Sequence, residues 1–233
     1  MKKAFLLFFI LLFPSVLYVV LTKGKHNFIH LPYFGTKETV ETVVEGKKWV
    51  DTIYHVIPPF RFINQDGKLI SEQTFNNKIY IANFFFATCR SICPKMNSQM
   101  ARVQERFKGQ PDLAFLSHTV NPERDSVEAL AEYSKTIHAD TKNWYFVTGD
   151  RKTIYDIATG GYMVAAAEDI NAEGGFLHSE LLVLVDREKR IRGVYDGTSV
   201  VEVDKLIDDI KLLYAEYEKH NKERNKITVG IPN

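Results

Sequence analysis

Cys89 and Cys93 are the only cysteines in the 233 residues, and they stand four apart. A scattered disulfide framework is therefore impossible, and any cysteine chemistry is confined to this pair. Three roles suit such a pair: capture of a metal ion, reversible oxidation to a disulfide without metal, or a buried structural couple. Thiolates at i and i+4 can converge on one soft ion. Soft sulfur ligands favour Cu(I) or zinc, and imidazole suits copper in either oxidation state. Two sulfurs want a third donor. His178 is the best candidate, because it follows the glycine-rich stretch Gly174-Gly175 and precedes a strand-like run. A loop entering a neighbouring strand can bring a histidine over the same sheet edge. His118, near the end of another apolar run, is the strongest rival, and His26, His30, His55, His138 and His220 also compete.

The elements that would position these residues can be read from periodicity. Residues 79–86 form a nearly continuous apolar run, as expected of a strand buried on both faces, with a second at 113–120 and a shorter one at 144–148. The cysteine segment lies just past the end of the first, where open α/β sheets place their sites. Pro94 fits the first position of a helix over 94–107, whose apolar residues Met96, Met100, Val103 and Phe107 recur at helical spacing. Cys93 then sits near the cap, where the helix dipole favours a thiolate and Arg90 adds to the effect. Further helices are expected at 126–137, 152–158 and 200–217. Gly160-Gly161 more readily ends the short helix at 152–158 than cradles a phosphate. Hairpins are expected at 60–70 and 181–195. Strands alternating with helices require crossover connections, so the fold class is α/β: a central mixed sheet flanked by helices, in an order that fits a thioredoxin-like fold.

Asp169, Asn171, Glu173, Gly174 and Glu180 resemble an EF-hand calcium loop, but the fifth position is Glu and Glu180 leads into a strand-like run, where an EF-hand needs a helix. The charge balance, 30 Lys and Arg against 29 Asp and Glu, gives no basic excess for nucleic acid. Lys2 and Lys3 precede an apolar run over 4–21, which as a helix spans about 27 Å, close to a bilayer core. No small-x-small cleavage site follows it, so an uncleaved anchor is expected. The organisation is then an N-terminal membrane anchor over 1–22, a tether over 23–55, the domain over 56–218 and a polar tail over 219–233.

Four motifs occur in order: Thr88-Cys89 through Cys93-Pro94; Val120-Asn121-Pro122-Glu123-Arg124-Asp125-Ser126; Trp144 through Gly149; and His178-Ser179 followed by Leu184-Val185-Asp186. Together they resemble the Sco/SenC family over about residues 57–217. The resemblance implies a thioredoxin fold on an N-terminal anchor, with the domain outside the cytoplasm, facing the periplasm or an equivalent compartment. It implies copper held by Cys89, Cys93 and His178, and a role as metallochaperone, thiol reductant or both in building the dinuclear copper centre of cytochrome c oxidase. The partners implied are a copper-accepting oxidase subunit, thiol reductants or oxidants, and the membrane. Family members often carry Pro and Asp after the first cysteine and Asp before the histidine. Here Arg90, Ser91 and Leu177 stand there, which makes the site more cationic. The competing function is a thiol–disulfide oxidoreductase of the thioredoxin class, which needs the cysteines but not His178.

Overall fold

The computed structural model describes residues 12–16, 30–44, 47–164, 167–168, 176–177 and 179–229. The chain divides into two units, Met1–His30 and Leu31–Asn233. In the first, residues 12–16 are helical. Among the described residues no helix is long and apolar enough to cross a membrane, and the rest of the expected anchor lies outside them.

In the second unit, β1 (Lys37–Val44) and β2 (Lys47–Tyr54) pair antiparallel as a separate two-stranded sheet. The strands β3 (Arg61–Asn64) and β4 (Leu69–Ser71) follow. Next come β5 (Ile79–Phe85), α1 (Ile92–Arg106), β6 (Leu113–Thr119), α2 (Val127–Thr136), β7 (Trp144–Thr148) and α3 (Arg151–Asp156). A π-helical turn over Ile157–Gly161 ends at the double glycine. Two short strands, β8 (Ala167–Glu168) and β9 (Phe176–Leu177), pair with each other. They are followed by β10 (Leu181–Val185), β11 (Ile191–Asp196) and α4 (Val200–Val229).

The main sheet has the order β11-β10-β5-β6-β7-β3-β4. Its centre is parallel: β5 runs beside β6 from Ile79↔Leu113 to Phe85↔Thr119, and β6 beside β7. Both flanks are antiparallel hairpins, as the turn residues imply. Every residue of β5 and of β6 is buried, the pattern of strands covered on both faces. The mixed sheet and alternating order match the reading of the sequence.

Two boundaries differ from it. Residues 31–34, assigned to the tether, are docked on the sheet edge. Arg192 is 3% exposed and reaches Asp186 at 3.3 Å, Glu216 at 2.8 Å and the Leu31 carbonyl at 2.9 Å. The Leu31 N–H donates to Glu216 at 2.8 Å, and Phe34 bridges to Ile191. A buried guanidinium needs several acceptors, and the N-terminal carbonyl completes the set. The helix α4 also continues to Val229, through most of the stretch assigned to the polar tail.

Candidate metal centre

The chain leaves β5 through a tight turn in which the Cys89 N–H donates to the Phe86 carbonyl at 3.1 Å. The helix α1 then begins at Ile92, two residues earlier than the proline suggests, with Ser91 at the cap but making no side-chain cap bond. The cap is sulfur: the Cys93 N–H donates to Cys89 Sγ at 3.4 Å. Cys93 therefore lies within the first turn, not at the cap, and Pro94 is tolerated because N–H groups of the first turn have no intrahelical acceptor.

This arrangement brings the two cysteines together. Neither forms a disulfide; Cys93 is fully buried and Cys89 is 6% exposed. Burial is the largest influence on Cys89 and pushes its thiol up. Hydrogen bonds from the Cys93 side chain, the Cys93 N–H and the N–H and hydroxyl of Ser91 outweigh it and hold the thiol below its usual value. Ser91 and Arg90 stand where the family pattern has Asp and Pro, and Ser91 Oγ lies 3.9 Å from Cys89 Sγ.

The loop after β6 holds the cysteine turn in place. Asp125, 1% exposed, accepts from the Ala87 N–H at 3.0 Å and from the Thr119 hydroxyl, and Thr119 Oγ1 in turn accepts from the Asn121 N–H at 3.0 Å. Burial pushes the Asp125 carboxyl up, offset in part by Thr119, Ala87 and Arg124. Ser126 caps α2 by accepting from the Ala129 N–H at 3.3 Å. The sequence marks this Asp-Ser pair as a motif, but its contact with Ala87 has no local signature. On the other side of the cysteines, the Asn97 amide donates to the Tyr133 hydroxyl, whose own proton is held more tightly chiefly by burial and then by the negative charge of Cys93 and Cys89.

His178 lies outside the described residues. The described residues around it are β9, ending at Leu177, and β10, whose Val183 pairs with Ala82 antiparallel. β10 therefore starts beside the carboxyl end of β5, where the cysteine turn begins. The rival, His118, is placed elsewhere. Its ring stacks on Phe84 at 4.8 Å and meets Phe62 at 5.4 Å and Tyr162 at 5.3 Å edge-on. Residues 84 and 118 share one face of the sheet. Phe85, which stacks on Tyr133 beside the cysteines, is on the other. Burial pushes the His118 imidazole down to about 3, only partly offset by the Asn83 backbone, and neither ring nitrogen makes a well-formed hydrogen bond among the described residues. Of the other histidines, His55 contacts the Gly161 carbonyl at 2.7 Å, His138 and His220 are exposed at the surface, and His26 lies outside the described residues. Among the described residues no cluster of three metal-ligating side chains forms. Asp169, Asn171, Glu173 and Gly174 also lie outside them, and Glu180 leads into β10, not into a helix.

A parallel-centred sheet with hairpin flanks and two cysteines bridging from the end of β5 into a helix defines a thioredoxin-like dithiol protein. Residues 51–215 match the SCO1/SenC family model, and the chain belongs to that family. It is 28% identical over 168 residues to the SCO1 protein homolog of Bacillus subtilis (strain 168), covering 71% of this chain and 86% of that one. Two of the similar solved structures are informative. One is BsSco, described with a disulfide switch and as a member of the Sco family of cytochrome c oxidase assembly proteins. It has a TM-score of 0.60 and 28% identity, over 68% of this chain and 93% of that one. The other is Arabidopsis thaliana ScoI with copper bound, with a TM-score of 0.57 and 26% identity, over 67% and 98%.

The site generates two expectations. Removing the Asp125 carboxylate leaves the Ala87 N–H and the Thr119 hydroxyl without their acceptor. Asp125→Ala should therefore cost about 1–3 kcal/mol in denaturant unfolding and raise the alkylation rate of Cys89 by iodoacetamide several-fold. An unchanged alkylation rate would show that the turn holds itself. The second concerns His118, whose folded pKa is depressed, so the stability it contributes is present above its unfolded pKa and is lost as pH falls. The unfolded chain takes up a proton below about pH 6.5 that the folded chain refuses. Between pH 7 and pH 5 this loss amounts to about 2 kcal/mol, and His118→Phe should abolish that part of the pH dependence. Identical pH slopes for the two proteins would remove His118 from the account.

Proposed function

We propose that this chain binds one copper ion through Cys89, Cys93 and His178 and serves assembly of the dinuclear copper centre of cytochrome c oxidase. The observation that carries the reading is the Cys89–Cys93 geometry: two reduced thiols four residues apart, Cys89 with a lowered pKa and accepting from the Cys93 N–H, just past the end of β5 in a SCO1/SenC protein. The donor set fits the ion, since paired thiolates with an imidazole suit copper. Copper bound to the Arabidopsis thaliana relative and the oxidase-assembly role described for BsSco support the assignment. So does the start of β10 beside the carboxyl end of β5.

Here copper is cargo. When bound, it supplies a soft Lewis-acidic centre that a competing thiolate can withdraw. The chain's own residues set the terms of that exchange. Ser91 and the Cys93 N–H hold Cys89 toward its thiolate form, and Asp125 fixes the turn that carries it.

A second reading, thiol–disulfide exchange, draws on the same lowered thiol and on the disulfide switch described for BsSco. A Cys89–Cys93 disulfide consumes both thiolates, so it excludes tight copper, and copper should stabilise the reduced fold by mass action. The partners are then the copper-accepting oxidase subunit and thiol reductants or oxidants. Residues 1–22 anchor the chain in the inner membrane, and the domain lies on the side away from the cytoplasm, in the periplasm or its equivalent.

The reduced chain, loaded with copper and desalted, should retain about one ion per molecule and gain thermal stability. Cys89→Ala or Cys93→Ala should abolish tight Cu(I) binding. His178→Ala should weaken Cu(I) less than Cu(II), which gains more from imidazole. Elemental analysis finding no retained copper would end this reading, and an unchanged Tm beside rapid disulfide exchange would favour the second. For topology, protease added to intact spheroplasts should digest the domain; digestion seen only after lysis would place it in the cytoplasm.

A further inference from the structure

A copper-accepting or thiol-exchanging partner must bring its own sulfur to Cys89, because Cys93 is sealed beneath it. The surface leading there is a trough. A hollow of about 800 Å³ lies between α1 and α2, with Cys89 and Ala87 at one end and Ser98, Ala101 and Ala129 along its walls. A second hollow, of about 540 Å³, meets it at Ala101 and Ile137 and reaches Gly109 and His138 beyond the end of α1. The two follow one side of a fifteen-residue helix. Such a helix is about 22 Å long, which corresponds to about six or seven residues of extended chain.

The lining changes along this length. Near Cys89 the walls are mostly small and apolar, and the space exists because alanines stand where α1 and α2 face each other. Further on the lining is polar, with Gln104, Lys108 and Asp140. At the near end Asn97, 1% exposed, also lines the trough, and its Oδ1 has no hydrogen-bond partner among the described residues. An unpaired buried amide oxygen gains from any N–H that reaches it. An apolar recess opening on the less buried of the two sulfurs, with an acceptor in its wall and a polar exit, suits a polypeptide better than a small thiol.

Building on the copper and thiol chemistry of Cys89, we propose that this trough docks an extended segment of the partner protein. The segment carries a cysteine that meets Cys89. An apolar side chain about three to six residues away seats between Ala101 and Ala129.

The test uses the full-length reduced chain and two short synthetic peptides. Each carries one cysteine as its mixed disulfide with thionitrobenzoate; one has leucines flanking the cysteine at a distance, the other serines in their place. The Cys89 thiolate forms the new S–S bond to the peptide sulfur. Thionitrobenzoate leaves as a thiolate with the electron pair of the broken bond, so no external oxidant is needed and its absorbance gives the rate. The leucine peptide should react about tenfold faster, the scale expected for burying one such side chain. Ala101→Phe and Ala129→Phe, each filling the trough from a partly exposed helix position, should remove that preference, with copper stoichiometry reporting that each variant is folded. Equal rates for the two peptides, or a preference retained in both folded variants, would overturn the docking assignment while leaving the metal centre standing. A preference that disappears as the chain itself dimerises would assign the trough to a second copy and likewise overturn it. No reaction with either peptide would remove the premise that Cys89 is the reactive sulfur, and the inference with it.

Discussion

The parallel pairing of β5 with β6 is the constraint from which the site follows. Two parallel neighbours cannot be joined by a tight turn, so the chain must cross back over the sheet, and α1 is that crossover. The start of α1 is thereby placed just past the carboxyl end of β5, and the cysteines occupy the turn between them. The same requirement repeats from β6 through α2 to β7. Two strand-to-helix turns therefore lie side by side at one sheet end, which is why an aspartate from the second can accept a hydrogen bond from the backbone of the first.

Within that turn, burial and hydrogen bonding oppose each other. A sulfur removed from water resists ionisation, yet Cys89 is held toward the thiolate because the helix's first N–H groups and Ser91 point at it. The orphan donors of a helix N-terminus are a general resource for an anion, and here a side chain four residues beyond the end of β5 uses them. The sulfur that caps the helix is also the less buried of the two. On the opposite face the sheet buries His118 among aromatic rings, where it stays neutral. Strand alternation alone separates these two environments, one residue apart in register.

The far edge of the sheet shows a different balance. Arg192 is almost fully buried, and its acceptors come from the turn before β11, from α4 and from the chain entering the unit at Leu31. A guanidinium left with fewer partners would be expensive to bury. The entering segment is thus part of the folded unit, and the place where the unit begins is set by that charge.

Patterns with a local cause were legible in the sequence. The buried strands at 79–86, 113–120 and 144–148 announce themselves by continuous apolar runs, the hairpins by their turn residues, and the cysteine pair by being the only one. Order and spacing of four motifs were enough to reach the family. The sequence alone also named His178 as the candidate third donor, with His118 as rival. Tertiary structure decided what depends on residues far apart in the chain. It showed that His118 faces away from the cysteines, that Asp125 holds Ala87 and that residues 31–34 dock against Arg192. It also placed small residues of α1 and α2 opposite each other to leave a trough. None of these has a signature in composition or period, because each is a pairing between side chains or backbone groups that only the crossover topology brings within reach.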